Sequence, residues 1–241
     1  MAISGREQNR QQQPTRIGVM GGMFDPVHEG HLAAARLALA ALELDIVHLV
    51  PCAQPNHRAQ AGVSGADRLA MLELAIAGDA CLKADDRELQ RPGVSYMVDT
   101  LRSFVDEFPQ ATLVYILGRD SFYTLPAWHQ WQQILDLCHL AVISRPGAEC
   151  DMPAALAQEI TPRLVTAPGA LIAATPSRGH VLMLDDLDVP VSSSAIRQSL
   201  ACADMPAAVP QTVQAYIRRH GLYFSTASEP AESGSAGRSN T

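Results

Sequence analysis

The chain is expected to fold as an α/β protein on a parallel sheet, and three observations carry that expectation. A short apolar run, Arg16 to Met20, passes through a glycine-rich turn into Leu32 to Leu44, where Leu32, Ala35, Leu39 and Leu42 recur at helical spacing. A second apolar run, Ile46 to Val50, follows at once and stops at Pro51. Strand, helix, strand over so short a stretch is a βαβ unit, whose crossover makes the two strands parallel and the connection right-handed. Thr112 to Leu117 is apolar throughout, the pattern of a strand covered on both faces near the middle of such a sheet.

The first turn reads Gly21-Gly22-Met23-Phe24-Asp25-Pro26-Val27-His28-Glu29-Gly30-His31. Glycines let a ligand approach the backbone closely, and the helix that follows offers unpaired N–H groups and a positive dipole end, which suit phosphate. His28 and His31, three apart, share a face if both lie on the opening turn. Four readings compete. A plain loop with two surface histidines leaves the clustering of glycines, proline and histidines unexplained. A zinc site needs a third ligand, and the string is not His-Glu-x-x-His. A dinucleotide turn needs a G-x-G-x-x-G spacing that Gly18, Gly21 and Gly22 do not give. A nucleoside triphosphate site with imidazoles on the phosphates uses every unusual residue in the stretch.

Size and charge set bounds. At 241 residues and 47% hydrophobic the chain holds one ordinary α/β domain. That domain is expected over 16–224, between a polar, Gln-rich tail over 1–15 and a Ser-, Gly- and Glu-rich tail over 225–241, both disordered. A net charge of −7 without a long basic run argues against a nucleic-acid-binding surface, so positive charge must be gathered locally. Five scattered cysteines with no C-x-x-C pair read as reduced thiols in a cytoplasmic protein. No apolar run is long enough to span a membrane, and the N-terminus is unlike a secretory signal.

Beyond the second strand comes Gln54-Pro55-Asn56-His57-Arg58. Loops at strand C-terminal ends line the crevice of an open α/β sheet, so His57 and Arg58 fall on the edge that carries His28 and His31; the alternative is a solvated basic pair. Ser64 and Asp67 can cap a helix through Leu69, Leu72 and Ile76. Cys81 to Ala84 reads as a strand. Arg91 to Leu101 reads as a turn leading into an amphipathic helix that ends at Phe108, with Ser95 as cap and Tyr96 as a packing residue. The central strand runs into Gly118-Arg119-Asp120-Ser121, where an acid at the strand end suits a ribose or base contact, or Asp120 or Ser121 caps a helix. Trp128 and Trp131, the two tryptophans, form either core or a ring-stacking wall. His139 to Ser144 is a further strand ending at Arg145. Glu149 to Ser177, with four prolines and no steady period, reads as a surface excursion. Val181 to Leu184 is the last strand. Val191 to Arg197 reads as a serine-capped helix start whose free N–H groups suit an anion, with Arg197 one turn on from Ser193. A final helix runs from Val209 to His220 and ends at Gly221.

Five of these strings, in this order, resemble one family. Gly21 to His31, Gln54 to Arg58, Arg91 to Leu101, Leu125 to Trp128 and Val191 to Arg197 are similar to the motifs of the His-x-Gly-His nucleotidyltransferases, and more narrowly of the bacterial nicotinate-nucleotide adenylyltransferases. The resemblance covers roughly Arg16 to Tyr223. It departs at Asn56, where relatives have a second proline, at Arg58 for lysine, and at Val191 and Ser194 for isoleucine and threonine. It implies a Rossmann-like parallel sheet with helices on both faces, of the nucleotidyltransferase type. It implies adenylyl transfer from ATP to nicotinate mononucleotide in NAD biosynthesis, with Mg²⁺ arriving on the ATP and no protein metal ligands.

By the same resemblance His28, His31 and Arg197 are the catalytic groups, acting on the triphosphate. Gly21, Gly22, Met23 and Phe24 join them around ATP, with Gly118, Asp120 and Arg145 from the later strand ends and Ser193, Ser194 and Ile196 from the second signature. His57 and Arg58 lie near substrate phosphates. Tyr96, the backbone of Met97, Trp128 and His129 hold the nicotinate ring and its carboxylate. Other acceptors compete: nicotinamide mononucleotide, or a phosphorylated group such as phosphopantetheine, whose enzymes usually carry Thr in place of His28. A tRNA-charging enzyme would need a lysine-rich second signature that is absent here, and a non-catalytic nucleotide-binding protein has no use for the full set of His28, His31 and Arg197. The oligomeric state is left open.

Overall fold

The computed structural model describes residues 15–54, 62–144, 152–173, 178–184, 187, 189 and 191–224. Within them seven strands form one sheet: β1 (Arg16–Gly22), β2 (Ile46–Pro51), β3 (Leu82–Ala84), β4 (Thr112–Gly118), β5 (His139–Ile143), β6 (Leu164–Val165) and β7 (Val181–Leu184). Their order is β3-β2-β1-β4-β5-β7-β6, and every neighbouring pair is parallel. The chain steps outward from β1 to β3, then returns to place β4 on the other flank of β1. Between the C-terminal ends of β1 and β4 the winding reverses, and a crevice opens there in folds of this kind.

The helices are α1 (Glu29–Ala41), α2 (Gly65–Ala75), α3 (Arg87–Gln90), α4 (Met97–Glu107), α5 (Arg119–Tyr123), α6 (Trp131–Leu137), α7 (Ala154–Ile160), α8 (Pro168–Ile172), α9 (Ser193–Ala201) and α10 (Gln211–His220). Strand β4 shows why its sequence is apolar without a break. Successive side chains alternate across a sheet. Val114 and Ile116 meet the core formed by Leu32 of α1 and Leu42 at its C-cap, Leu72 of α2 and Ile217 of α10. Leu113, Tyr115 and Leu117 meet the core formed by Leu101 and Phe104 of α4, Ile134 of α6 and Leu156 of α7. Helices therefore cover both faces, as the resemblance implies.

Three local expectations are corrected. The stretch over 149–177 is not a bare excursion: its described part holds α7, a 3-10 turn (Thr161–Arg163), the two-residue edge strand β6 and α8, and it buries Leu156, Ile160 and Leu171. Its elements are too short, and its prolines too frequent, to print a period. Ser95 does not cap α4; Tyr96 is the N-cap residue and no side chain caps it, while the Ser95 N–H donates to the Gln54 carbonyl at 3.0 Å. Neither Asp120 nor Ser121 caps α5, whose N-cap is Gly118. Elsewhere the boundaries shift little. Helix α1 starts at Glu29 because His28 takes the N-cap position, and Ser64 caps α2 as expected, accepting from the Asp67 N–H at 3.1 Å. No helix of the described residues is long and apolar enough to cross a membrane.

Candidate active site

Strand β1 delivers the chain to the crevice at Gly22, and the turn is then held from several sides. Phe24 takes a left-handed backbone, φ 47°, and its ring is buried. His28 is extended and nearly fully buried. Its N–H donates to Nδ1 of His31 at 3.3 Å, and the two imidazoles stack at 3.7 Å between centroids, with the Phe24 ring edge-on to His31 at 4.9 Å. An imidazole whose Nδ1 accepts carries its proton on Nε2 when neutral, so His31 is set up as an Nε2–H donor. Gly30 is required for packing: a Cβ there would lie 2.8 Å from Val191 and 3.1 Å from the His28 ring. The two signature segments touch at this glycine.

Helix α9 is stitched to the same turn. Ser192 caps it, accepting from the Ala195 N–H at 3.2 Å. The Ser193 hydroxyl donates to the Pro26 carbonyl at 3.1 Å. Arg197 donates to the Asp25 carbonyl at 2.6 Å and to Ser194 Oγ at 3.3 Å. The starts of α1 and α9 thus converge, and helix starts favour anions. A cleft of about 500 Å³ opens between them, lined by Gly21 to Asp25, His28, His31, Gly118, Asp120, Ser192 to Ser194 and Arg197.

A second, narrower cavity of about 140 Å³ lies on the other side of Gly21 and Gly22. Tyr96 and Met97 at the start of α4, Tyr115 and Leu117 of β4, and Trp128 wall it, with Cys52, Glu88 and Ser95 also on its lining. Trp128 is half-buried, donates from Nε1 to the Thr124 hydroxyl at 3.3 Å, and meets Tyr115 edge-on at 6.4 Å. The His129 ring leans on Tyr96 at 4.3 Å. Met97 is the first residue of α4, where helical N–H groups lack an intrahelical acceptor and suit a carboxylate. Of the two tryptophans, then, Trp128 faces the cavity, while Trp131 is buried in the core beneath it.

The elements under this pocket are braced by charge. Asp85 follows β3 and accepts from His48 at 2.8 Å and Arg87 at 2.7 Å; although burial opposes its ionisation, these bonds hold its carboxyl well below the usual range. The Arg87 guanidinium lies 3.3 Å over the Phe104 ring, tying α3 to α4. Glu88, also buried, accepts from the Thr100 hydroxyl at 2.6 Å. Burial first, and then the Glu88 carboxylate, push the Cys52 thiol up to about 11, which disfavours its thiolate.

The structure brings Gly21, Gly22, Met23, Phe24, His28, His31, Gly118, Asp120, Ser193, Ser194 and Arg197 onto one cleft, and Tyr96, Met97, Trp128 and His129 onto the adjoining pocket. Ile196 is the exception. Its side chain is buried in the core and lines neither cavity, and its N–H donates to the Ser192 carbonyl at 3.0 Å. His57, Arg58 and Arg145 lie outside the described residues. Sequence reasoning missed Arg68, which is 1% exposed and donates to the Met23 carbonyl at 2.8 Å. A signal was present: Arg68 stands three and four residues before Met71 and Leu72, on the buried face of α2. It also missed Asp25 and Tyr223 as a pair, and Glu88. No group of three or more His, Cys, Asp or Glu among the described residues is placed to hold a metal ion.

Comparison with known proteins gives a consistent picture. The model of the Cytidylyltransferase-like family matches residues 19–199. A curated protein of Pseudomonas syringae pv. tomato, named "Probable nicotinate-nucleotide adenylyltransferase", is 43% identical over 212 residues, covering 87% of this chain and 94% of its own. A protein of the same name from Aeromonas salmonicida is 40% identical over 208 residues, covering 86% of this chain and 96% of its own. Among solved structures, Plasmodium falciparum nicotinic acid mononucleotide adenylyltransferase complexed with NaAD superposes with a TM-score of 0.65 at 17% identity, over 87% of this chain and 97% of that one. That likeness shows the shared fold.

Proposed function

Because the chain belongs to the cytidylyltransferase-like family, and within it to the nicotinate-nucleotide adenylyltransferases, we propose that it joins ATP and nicotinate mononucleotide into nicotinate adenine dinucleotide and pyrophosphate, a step of NAD biosynthesis. The observation that carries this reading is the pair of cavities meeting along Gly21, Gly22, Met23 and Gly118. One is lined by imidazoles, a guanidinium and helix starts; the other is lined by aromatic rings and the start of α4. A triphosphate and a pyridine nucleotide bound side by side would meet at the glycines.

The chemistry asks little of a general base. The mononucleotide phosphate is already an anion at neutral pH. One of its oxygens attacks the α-phosphorus of ATP, a new P–O bond forms, the bond to the β-phosphate oxygen breaks, and pyrophosphate departs with the electron pair. The barrier lies in holding two anions in line and in absorbing charge on the leaving group, which positioning and fixed donors accomplish. His31, offering Nε2–H, and Arg197 bind the triphosphate oxygens; His28, buried beneath His31, orients it. The substrate is the Mg²⁺ complex of ATP, and the ion supplies shielding between phosphates. Asp120 at the β4 end faces the nucleoside of ATP, with Ser193, Ser194 and the start of α9 on its phosphates. His57 and Arg58 serve the mononucleotide phosphate and Arg145 those of ATP. Trp128 stacks on the pyridine ring, with Tyr96 and His129 beside it and the Met97 N–H on the ring carboxylate. A cytoplasmic setting belongs to the same proposal, supported by four free cysteines among the described residues and by diffusible, charged substrates.

The test is pyrophosphate release from Mg·ATP with nicotinate mononucleotide and nicotinamide mononucleotide side by side. Strong preference for the acid is the expected result. Equal or reversed preference would remove the carboxylate role from Met97 and keep adenylyl transfer. Release with neither would overturn the pyridine-nucleotide reading.

A further inference from the structure

Asp25 is held more tightly than a loop residue needs to be. It is 3% exposed. Its Oδ1 accepts from the Tyr223 hydroxyl at 2.6 Å, and its Oδ2 accepts from the Gly62 N–H at 2.7 Å. The Arg197 guanidinium sits 3.8 Å from the same Oδ2, while it donates to the Asp25 carbonyl at 2.6 Å. Asp25 therefore grips Arg197 through side chain and backbone together, and Tyr223 fixes the orientation of that side chain. The groups gather around Gly62: a Cβ built there would lie 3.6 to 3.7 Å from atoms of Asp25, Tyr223 and Arg197.

Tyr223 reaches this position at a conformational cost. Helix α10 ends at Gly221 in a left-handed cap, and two residues later Tyr223 is left-handed again, φ 67°. A side chain larger than glycine seldom takes that backbone, and it persists where surrounding contacts over-determine it. Burial first, and then the Asp25 carboxylate, hold the Tyr223 hydroxyl protonated, so it remains a donor. Its ring packs against the core and needs no hydroxyl to do so.

We propose that Tyr223 is a positioning residue for triphosphate binding: its hydroxyl locks Asp25, and through Asp25 sets the Arg197 guanidinium at the cleft. This rests on the adenylyl-transfer reading for the role of the cleft, and not on the identity of the acceptor. Tyr223→Phe removes one oxygen and keeps the ring. Titrated with Mg²⁺ and α,β-methylene ATP, the variant is expected to bind the analogue about tenfold more weakly, the scale of a hydrogen bond to a charged group, with kcat reduced to a similar degree. The KM for nicotinate mononucleotide stays unchanged, and the melting temperature falls by no more than the loss of one buried donor to Asp25 accounts for. In an Arg197→Ala background the same change should cost nothing further. Asp25→Asn, which weakens the contact from its other side, should reproduce the loss if Tyr223→Phe proves hard to purify. Unchanged analogue affinity, or losses from Tyr223→Phe and Arg197→Ala that simply add, overturn the proposal. So does a loss shared equally by both substrates and matched by a lower melting temperature. Because the titration needs no acceptor, a wild-type protein that binds the analogue but makes no product with either mononucleotide counts against the acceptor alone.

Discussion

The cleft on the His28–His31 side and the pocket on the Trp128 side share Gly21, Gly22, Met23 and Gly118 as a wall, yet are made differently. The cleft draws on one continuous turn, the starts of α1 and α9, one arginine, and Gly118 and Asp120 at the β4 end. Its donors are backbone N–H groups and side chains fixed by bonds to backbone, which suits a ligand recognised by charge. The pocket draws on α4, β4 and the segment before α6, which meet only in the folded state. Its lining offers rings and shape, with a single helix start, that of α4, at one wall. The donor turn is legible in consecutive residues even though the helix that completes it lies far along the chain, whereas the ring pocket is legible only once its separate elements meet.

That contrast can be broken or sharpened by substitution. The largest effect is expected for His31→Ala, which removes the donor proposed for the developing charge: kcat should fall about 10²- to 10³-fold, with little change in melting temperature or in mononucleotide binding. Near-normal turnover would remove His31 from the mechanism. Next is Trp128→Ala. Loss of a stacking ring should raise the KM for the mononucleotide about ten- to a hundredfold and leave the KM for ATP in place; a rise in the ATP value instead would reverse the assignment of the two cavities. Gly21→Ala tests the shared wall, since its methyl would strike the Met97 methyl. Both KM values should rise by about tenfold or less, and a selective effect would show that the cavities are less joined than their linings suggest.

The smallest effect on activity is expected at the opposite edge of the sheet. His139 is fully buried there, its Nδ1 accepts from the His180 N–H at 3.3 Å, and burial, followed by the His180 charge, lowers its pKa from 6.5 to about 4. Above pH 6.5 it is neutral folded or unfolded. Between 6.5 and 4 the unfolded chain takes up a proton that the native state refuses, so stability falls as pH drops, by up to about 3 kcal/mol, and below 4 the loss stops growing. His139→Asn should flatten that part of the melting-temperature profile relative to wild type without altering kcat. An unchanged profile would mean that His139 is not a source of acid lability.

What the sequence made legible follows the same division. The βαβ start, the central strand and the histidine turn were readable because each is written in consecutive residues. Ser64 and Ser192 announced their helices in the same way. Ile196 belongs to a signature string, but its side chain faces the core. The short elements over 152–173 stayed hidden because two- to seven-residue pieces carry no period. Arg68, Glu88, Asp25 and Tyr223 escaped notice for another reason: a polar residue held inside the fold is explained only by what it bonds to, and those partners lie on other elements, 12 to 198 positions away.

The bonds from Ser193 to Pro26 and from Tyr223 to Asp25 join residues 167 and 198 positions apart. During synthesis the glycine turn and both histidines leave the ribosome early, and then wait for the residues that fix them. Closing such long loops comes late in folding. A nascent chain therefore carries the first signature before the residues that clamp it. A protease that removed only the segment after α10 would take away Tyr223 and its bond to Asp25 without touching a single residue of the signature.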